Sequence, residues 1–368
     1  MRRWLLLLVA VLLVANFAVR VIDIGAAPLQ GDEVWASYLA FDFGHNGHRS
    51  ELGVTSSTGL NQSPFLGDVF ALAFAINPDP RLARLFMGLL HLIGMAILYR
   101  MLSRVWSPRT GIAALILFGT MPAAIWSGRY VWNQYLTIPF MLGYYATGFA
   151  ITRGKRWARW LHPLMLACAA QAHPSAIAHL PLSIGFYALD LRRVRRRWFL
   201  GDHTIGVGLA ILVMLPWLVG IMHKRAEEPG EQLARIGAPS ASSRILDFTI
   251  QAPTRLDFGA FGLPAEEYQA PPERWQRVYR GIGWFTLLGA MVLVIRALIR
   301  RDYANGMAGM AYLIFPFMLT RLPTGTYDSY LTLLIPAGAI VQAVLLTGHR
   351  MHSVIGRGLS AAAITSLA

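Results

Sequence analysis

Charge and cysteine are both scarce in this sequence. Charged residues make up 14% of it, where a soluble domain usually carries about 25%. Cys168 is the single cysteine and lies inside an apolar block. That excludes a disulfide framework and a cysteine-based zinc site. The sequence has no Walker loop, no dinucleotide fingerprint, no His-Glu-x-x-His and no Gly-x-Ser-x-Gly. Nucleotide-driven transport and hydrolysis by those routes are therefore unsupported. No internal repeat or low-complexity tract is visible either.

Apolar residues are abundant, at 55% of the 368 residues. They come in blocks long enough to cross a bilayer, which takes roughly 20 residues in a helix. The blocks predict an all-α polytopic integral membrane protein with about ten transmembrane helices. They fall near 4–24, 82–101, 108–126, 131–151, 158–172, 175–190, 203–222, 279–298, 304–320 and 328–348. The apolar tail 353–368 would make an eleventh, docked or truncated. The start, Met1-Arg2-Arg3 before a leucine run, resembles a signal peptide. The apolar run continues to Ile24 without a small-x-small cleavage site, which predicts an uncleaved first helix.

The net charge of +14 would suggest nucleic acid if it were clustered on one domain, but it is distributed by loop. With the N-terminus inside, the inner loops hold 19 of the 33 basic residues and three acids, Asp190, Asp202 and Asp302. Every second loop is basic. This is the positive-inside pattern, and it assigns the charge to topology and anionic lipid, with no nucleic-acid partner. The chain then reads as one transmembrane domain, 1–368, with a cytoplasmic N-terminus in the cell membrane and two long extracytoplasmic segments, 25–80 and 223–278. The first carries Asp32, Glu33, Asp42, Glu51, Asp68 and Asp79 against Arg49 alone. Its apolar stretch Pro64 to Ile76, about 13 residues, is too short to span and suits an interfacial helix.

Polar groups at the outer mouth are the candidates for chemistry, because ionisable residues at membrane depth are costly. Asp32-Glu33 follows the first helix. Two adjacent acids cannot share one helix face, so one acts while the other positions or binds. A carboxylate here suits a general base toward a hydroxyl, or simply a helix N-terminal turn. Ser127-Gly128-Arg129-Tyr130-Val131-Trp132-Asn133-Gln134 forms the next outer turn. Its arginine fits a phosphate oxygen pair, or snorkels to headgroups beside an aromatic belt. Gln171-Ala172-His173-Pro174-Ser175 is a third cluster, or a plain proline turn. Tyr327-Asp328-Ser329-Tyr330 is a fourth, with helix capping by Asp328 as its alternative. Arg84 and Arg321 are further phosphate candidates, or headgroup contacts. His45 and His48 are weak metal ligands. The convergence of four such clusters on one membrane face is what a site at a lipid–water boundary requires.

In this order the pieces resemble a known family. They are Asp32-Glu33, Ser63-Pro64-Phe65-Leu66, Ala83-Arg84-Leu85, Met121-Pro122 through Ser127-Gly128-Arg129 to Trp132-Asn133, then His173-Pro174 and Tyr330 to Pro336. The sequence resembles the GT-C glycosyltransferases, in particular the protein O-mannosyltransferases and the lipid A aminoarabinose transferase, best over 4–190. The resemblance implies an inverting, single-step transfer of a sugar from a polyprenyl-phosphate donor to an extracytoplasmic protein, lipid or glycan. It implies Asp32 as the base and Glu33 as a holder of acceptor or sugar. Arg129, then Arg84, would stabilise the lipid phosphate, with Asn133, His173, Tyr327, Asp328 and Tyr330 lining the donor site. The aminoarabinose transferase has an acid and a lysine before its Pro-Pro pair, where this sequence reads Asn61-Gln62-Ser63-Pro64. That departure argues against a divalent metal and places more weight on the arginines. The rival readings are a transporter or flippase for a lipid-linked sugar and a non-catalytic subunit of a glycosylation complex.

Overall fold

The computed structural model describes residues 2–25, 29, 31–55, 61–192, 196–227, 249–250, 273–319 and 332–348. Among these the structure is helical, apart from a single antiparallel bridge between Thr55 and Asn61. The helices are α1 (Arg2–Val21), α2 (Gly31–Asn46), α3 (Phe65–Ile76), α4 (Pro80–Val105), α5 (Pro108–Thr120), α6 (Pro122–Ser127) and α7 (Asn133–Ile151). They continue with α8 (Arg156–Ala172), a 3-10 turn (Pro174–His179), α9 (Leu180–Leu191), α10 (Arg196–Glu227), α11 (Glu273–Arg300), α12 (Tyr303–Leu319) and α13 (Leu334–Thr347).

Four helices among the described residues are long and apolar enough to cross a membrane: Arg3–Val21, Pro80–Val105, Leu200–Lys224 and Glu273–Arg300. Their outward flanks carry the signature of a lipid-facing surface. Leu6, Val14, Leu212, Ile295 and Leu298 are exposed, which water would penalise and hydrocarbon does not. The chain is a membrane protein of nearly all-α build. Of the roughly ten expected spans, these four are matched on length and composition among the described residues. The remaining described helices are shorter or interrupted by proline. The expected span 108–126 is broken at Met121, where α5 ends and Pro122 opens α6. Proline has no N–H to bond the preceding turn, and here the rod stops, with Met121 in an extended conformation. The expected span 175–190 likewise opens as the 3-10 turn begun by Pro174.

The segment 64–76 forms α3, 12 residues long, which reaches about 18 Å and cannot cross a bilayer. It lies alongside α2 and runs in the same direction. Gly67 meets Leu39 and Ala40, and Gly44 meets Ala71. A β-carbon on Gly44 would sit 2.1 Å from the Ala71 carbonyl oxygen, so the two backbones touch. The central hairpin is α7–α8, turned at Gly154 with φ +72°. Its antiparallel register is fixed by Gly143 against Met165 and Thr147 against His162.

The interior of the bundle holds a polar seam. Tyr144 donates to the His179 carbonyl at 2.9 Å and pairs with Ser183 at 2.9 Å. His162 bridges Thr147 and Ser183. Tyr145 meets His179 Nε2 at 3.0 Å, and Phe315 of α12 stacks on that ring. Such bonds replace water that the bilayer core cannot supply. At the turn end of α7–α8, Arg159 is forked onto Asp190 at 2.8 and 3.2 Å and reaches Asp202 at 3.0 Å. Arg156 and His203 complete that cluster.

Candidate active site

At the other end of the α7–α8 hairpin, several of the polar residues expected from sequence meet. The meeting begins where α1 stops. Asp23 adopts φ 52°, and the carbonyls just past α1 need partners from outside the helix, as those at helix ends do. Two arginines take them. Arg84 Nη1 donates to the Ile24 carbonyl at 3.0 Å, and Arg129 Nη2 donates to the Ile22 carbonyl at 2.6 Å.

Residues 32 and 33 open α2, where acids favour the helix dipole. Consecutive helical residues point about 100° apart, and the two acids separate accordingly. Glu33 is buried and Asp32 is exposed. Glu33 Oε1 accepts from Arg84 Nε at 2.9 Å and from the Val131 amide at 2.9 Å, while Oε2 accepts from Arg84 Nη2 at 2.6 Å. The Arg84 guanidinium also lies over the Tyr130 ring, 4.9 Å from its centroid. Arg84 and Glu33 are 3% and 4% exposed, so each neutralises the other in a dry setting. Their charges are spent on joining α2, α4 and the 128–132 turn.

Two charged groups of the set remain open. Asp32 has no hydrogen-bond partner among the described residues, and Arg129 is half-buried with backbone carbonyls as its described partners. The two lie at the same end of the bundle, because Glu33 bonds the amide two residues beyond Arg129. Trp35 and Tyr38, exposed on α2 and set edge to face, follow Asp32 along the helix with the amphipathic rings that favour a membrane interface.

His173 caps α8 and is buried, with its Nδ1 2.6 Å from Ser175 Oγ. Burial pushes its pKa down to about 3, so the ring is neutral at physiological pH. Asn133 is buried in the first turn of α7. Ser63, from the first loop, donates to Gln171 at 2.7 Å, and Gln171 donates to the Val213 carbonyl of α10 at 3.0 Å. Trp217 donates to the Asn61 carbonyl at 3.1 Å. The Asn61-Gln62-Ser63 segment is therefore a tie between α8 and α10. Leu66, Phe70, Met87, Tyr130, Val131, Leu136 and Ala172 form one apolar cluster beneath these groups.

Tyr327, Asp328, Tyr330 and Arg321 lie outside the described residues. His45 stacks on Phe41, and His48 is exposed at 3.4 Å from Asp42. No group of three or more His, Cys, Asp or Glu side chains able to hold a metal occurs among the described residues.

One site-end residue had not been singled out from the sequence. Arg20 of α1 is fully buried, donating to the Asn16 carbonyl at 3.0 Å and to the Ala124 carbonyl of α6 at 3.1 Å. Its signal was Asn16 and Arg20 one helical turn apart on an otherwise apolar helix, since intramembrane charges are functional candidates by default.

The helical bundle, with an acid pair beginning α2, shares its fold with solved membrane transferases. It is similar to ArnT from Cupriavidus metallidurans in the apo state, at TM-score 0.66 and 18% identity over 99% of this chain. The same ArnT bound to undecaprenyl phosphate matches at TM-score 0.66 and 18% identity, over 98% of this chain. The apo oligosaccharyltransferase of Archaeoglobus fulgidus matches at TM-score 0.62 and 11% identity, also over 98%. This chain spans 63% of the ArnT chain and 52% of the oligosaccharyltransferase. At these identities the likeness is one of fold. No protein-family model matches the chain, and no curated protein matches it in sequence.

Proposed function

We propose that this protein is a membrane glycosyltransferase that moves a sugar from a polyprenyl-phosphate donor to an extracytoplasmic acceptor with inversion. One observation carries the reading. An exposed carboxylate, Asp32, and a half-buried guanidinium, Arg129, stand at the same end of a GT-C bundle with no acid among the described residues paired to that arginine. The fold likeness to ArnT, one structure of which binds undecaprenyl phosphate, supports the donor class.

The chemistry follows from these two groups. The acceptor hydroxyl oxygen attacks the anomeric carbon and forms the new glycosidic bond. The bond from that carbon to the phosphate oxygen breaks, and its electron pair leaves with the lipid phosphate. The hydroxyl proton passes to Asp32. The leaving phosphate needs charge stabilisation more than protonation, and Arg129 supplies it. Glu33 and Arg84 act on this reading as a brace, since their charges already satisfy each other. His173 and Asn133 line the sugar side on this reading. The lipid tail enters between helices and the acceptor arrives from water.

Mass spectrometry of envelope glycans and glycoproteins from cells with and without the protein tests the reading. Asp32→Asn should lower transfer by about 10²- to 10⁴-fold, the usual worth of a general base, while purified protein keeps its affinity for undecaprenyl phosphate. Arg129→Ala should weaken that affinity. Undiminished transfer by Asp32→Asn would favour a flippase or a non-catalytic subunit.

A further inference from the structure

We infer that Arg20, held by Asn16, is a positioning residue that sets the Arg129 turn for a lipid-borne phosphate. This rests on the reading of Arg129 given above.

Arg20 is a charge with no acid beside it among the described residues. Its hydrogen bonds go to the Asn16 carbonyl at 3.0 Å, the Asn16 side-chain oxygen at 3.4 Å and the Ala124 carbonyl at 3.1 Å, while its Nε is buried without a partner. Its guanidinium carbon lies 5.8 Å from the centre of the Phe118 ring. Burying a guanidinium this way carries a desolvation cost, which a purely apolar contact between α1 and α6 would not incur. The cost fits a demand for exact geometry at the place it grips.

That place is the broken rod α5–α6. The break at Met121 and Pro122 leaves α6 only 6 residues long, too short to hold its own direction. The Ala124 carbonyl is in this piece, and Arg129 follows two residues after its end. Two glycines show how closely α1 is fitted here. A β-carbon on Gly119 would lie 1.8 Å from Asn16 Oδ1, and one on Gly128 would lie 2.7 Å from Arg20 Cδ. Arg129 closes the ring by bonding the Ile22 carbonyl, just past the end of α1, at 2.6 Å. Thus α1 holds the α6 turn from below through Arg20, and the turn holds the end of α1 from above through Arg129. Moving Arg20 moves the guanidinium that meets the phosphate.

A lysine keeps the charge but offers no planar fork to bridge Asn16 and Ala124. A methionine keeps much of the volume and loses both. The test uses full-length protein in lipid nanodiscs, with undecaprenyl phosphate as the probe. Arg20→Lys and Arg20→Met should each weaken its binding by about tenfold or more, near the loss for Arg129→Ala, and raise KM for the lipid donor more than they lower kcat. Gly128→Ala, which pushes on Arg20 without removing it, should weaken binding in the same direction and serves where the Arg20 variants do not fold. Wild-type affinity in a folded Arg20→Met, or in Gly128→Ala if neither Arg20 variant folds, overturns the inference. If Arg129→Ala also binds normally, the phosphate role of the turn fails as well. If Arg129→Ala alone weakens binding, only the role of Arg20 falls.

Discussion

Glu33 and Asp32 are neighbours in sequence, yet their surroundings differ completely. The carboxylate of Glu33 is removed from water and must be matched bond for bond, which Arg84 and the Val131 amide do. Breaking a buried pair from one side costs about 3–5 kcal/mol. Glu33→Gln should therefore lower the unfolding temperature markedly, and the double variant Glu33→Gln with Arg84→Met should recover part of the loss. Thermal unfolding in a fixed detergent measures both. A silent Glu33→Gln would mean the pair carries no structural weight. The sequence displayed the acid pair, because an acidic dipeptide stands out after an apolar run. It could not display which acid turns inward, nor that Arg84 would be consumed by Glu33, since the two are 51 residues apart and one sequence does not say which cation meets which acid. It also displayed the Asn16-x-x-x-Arg20 spacing, which becomes informative only once Ala124 is seen beside it.

The elements that carry the site are short and depend on close backbone packing. α2 holds both acids, and its course is set by α3. Gly44 allows that approach, because any β-carbon there would strike the Ala71 carbonyl. Gly44→Ala should push α2 off α3, at a cost of about 1–3 kcal/mol for overpacking. Transfer activity should fall although residue 32 is untouched. Normal activity and normal limited-proteolysis patterns in Gly44→Ala would show that α2 tolerates the shift. Hydropathy reveals α1, α4, α10 and α11 readily, since a lipid-crossing helix needs one long apolar run. It does not reveal that 108–126 is two helices. Apolar content continues through Met121-Pro122, and the break is one of backbone hydrogen bonding.

For the whole molecule, the basic loops predict which way the protein sits. Cys168 is buried, and Cys168→Ser gives a background for introduced thiols. His48→Cys, in the first loop, should react with a membrane-impermeant maleimide in intact cells. Arg153→Cys, in the exposed α7–α8 turn, should react only after permeabilisation. The opposite pattern would place Asp32 on the cytoplasmic side and remove the proposed donor and acceptor geometry. The α7–α8 hairpin adds a constraint of its own. The arginine–aspartate cluster sits at one end of it and the Glu33–Arg84 brace at the other. α7 has 19 residues, which at about 1.5 Å each gives roughly 28 Å, close to the thickness of a bilayer's hydrocarbon core. Two rigid polar plates this far apart act as a gauge. Lipids with short tails would leave the upper plate standing clear of the headgroups, and long tails would draw Asp32 beneath them. With Asp32 at the outer boundary as proposed, tail length would set how much water reaches the carboxylate.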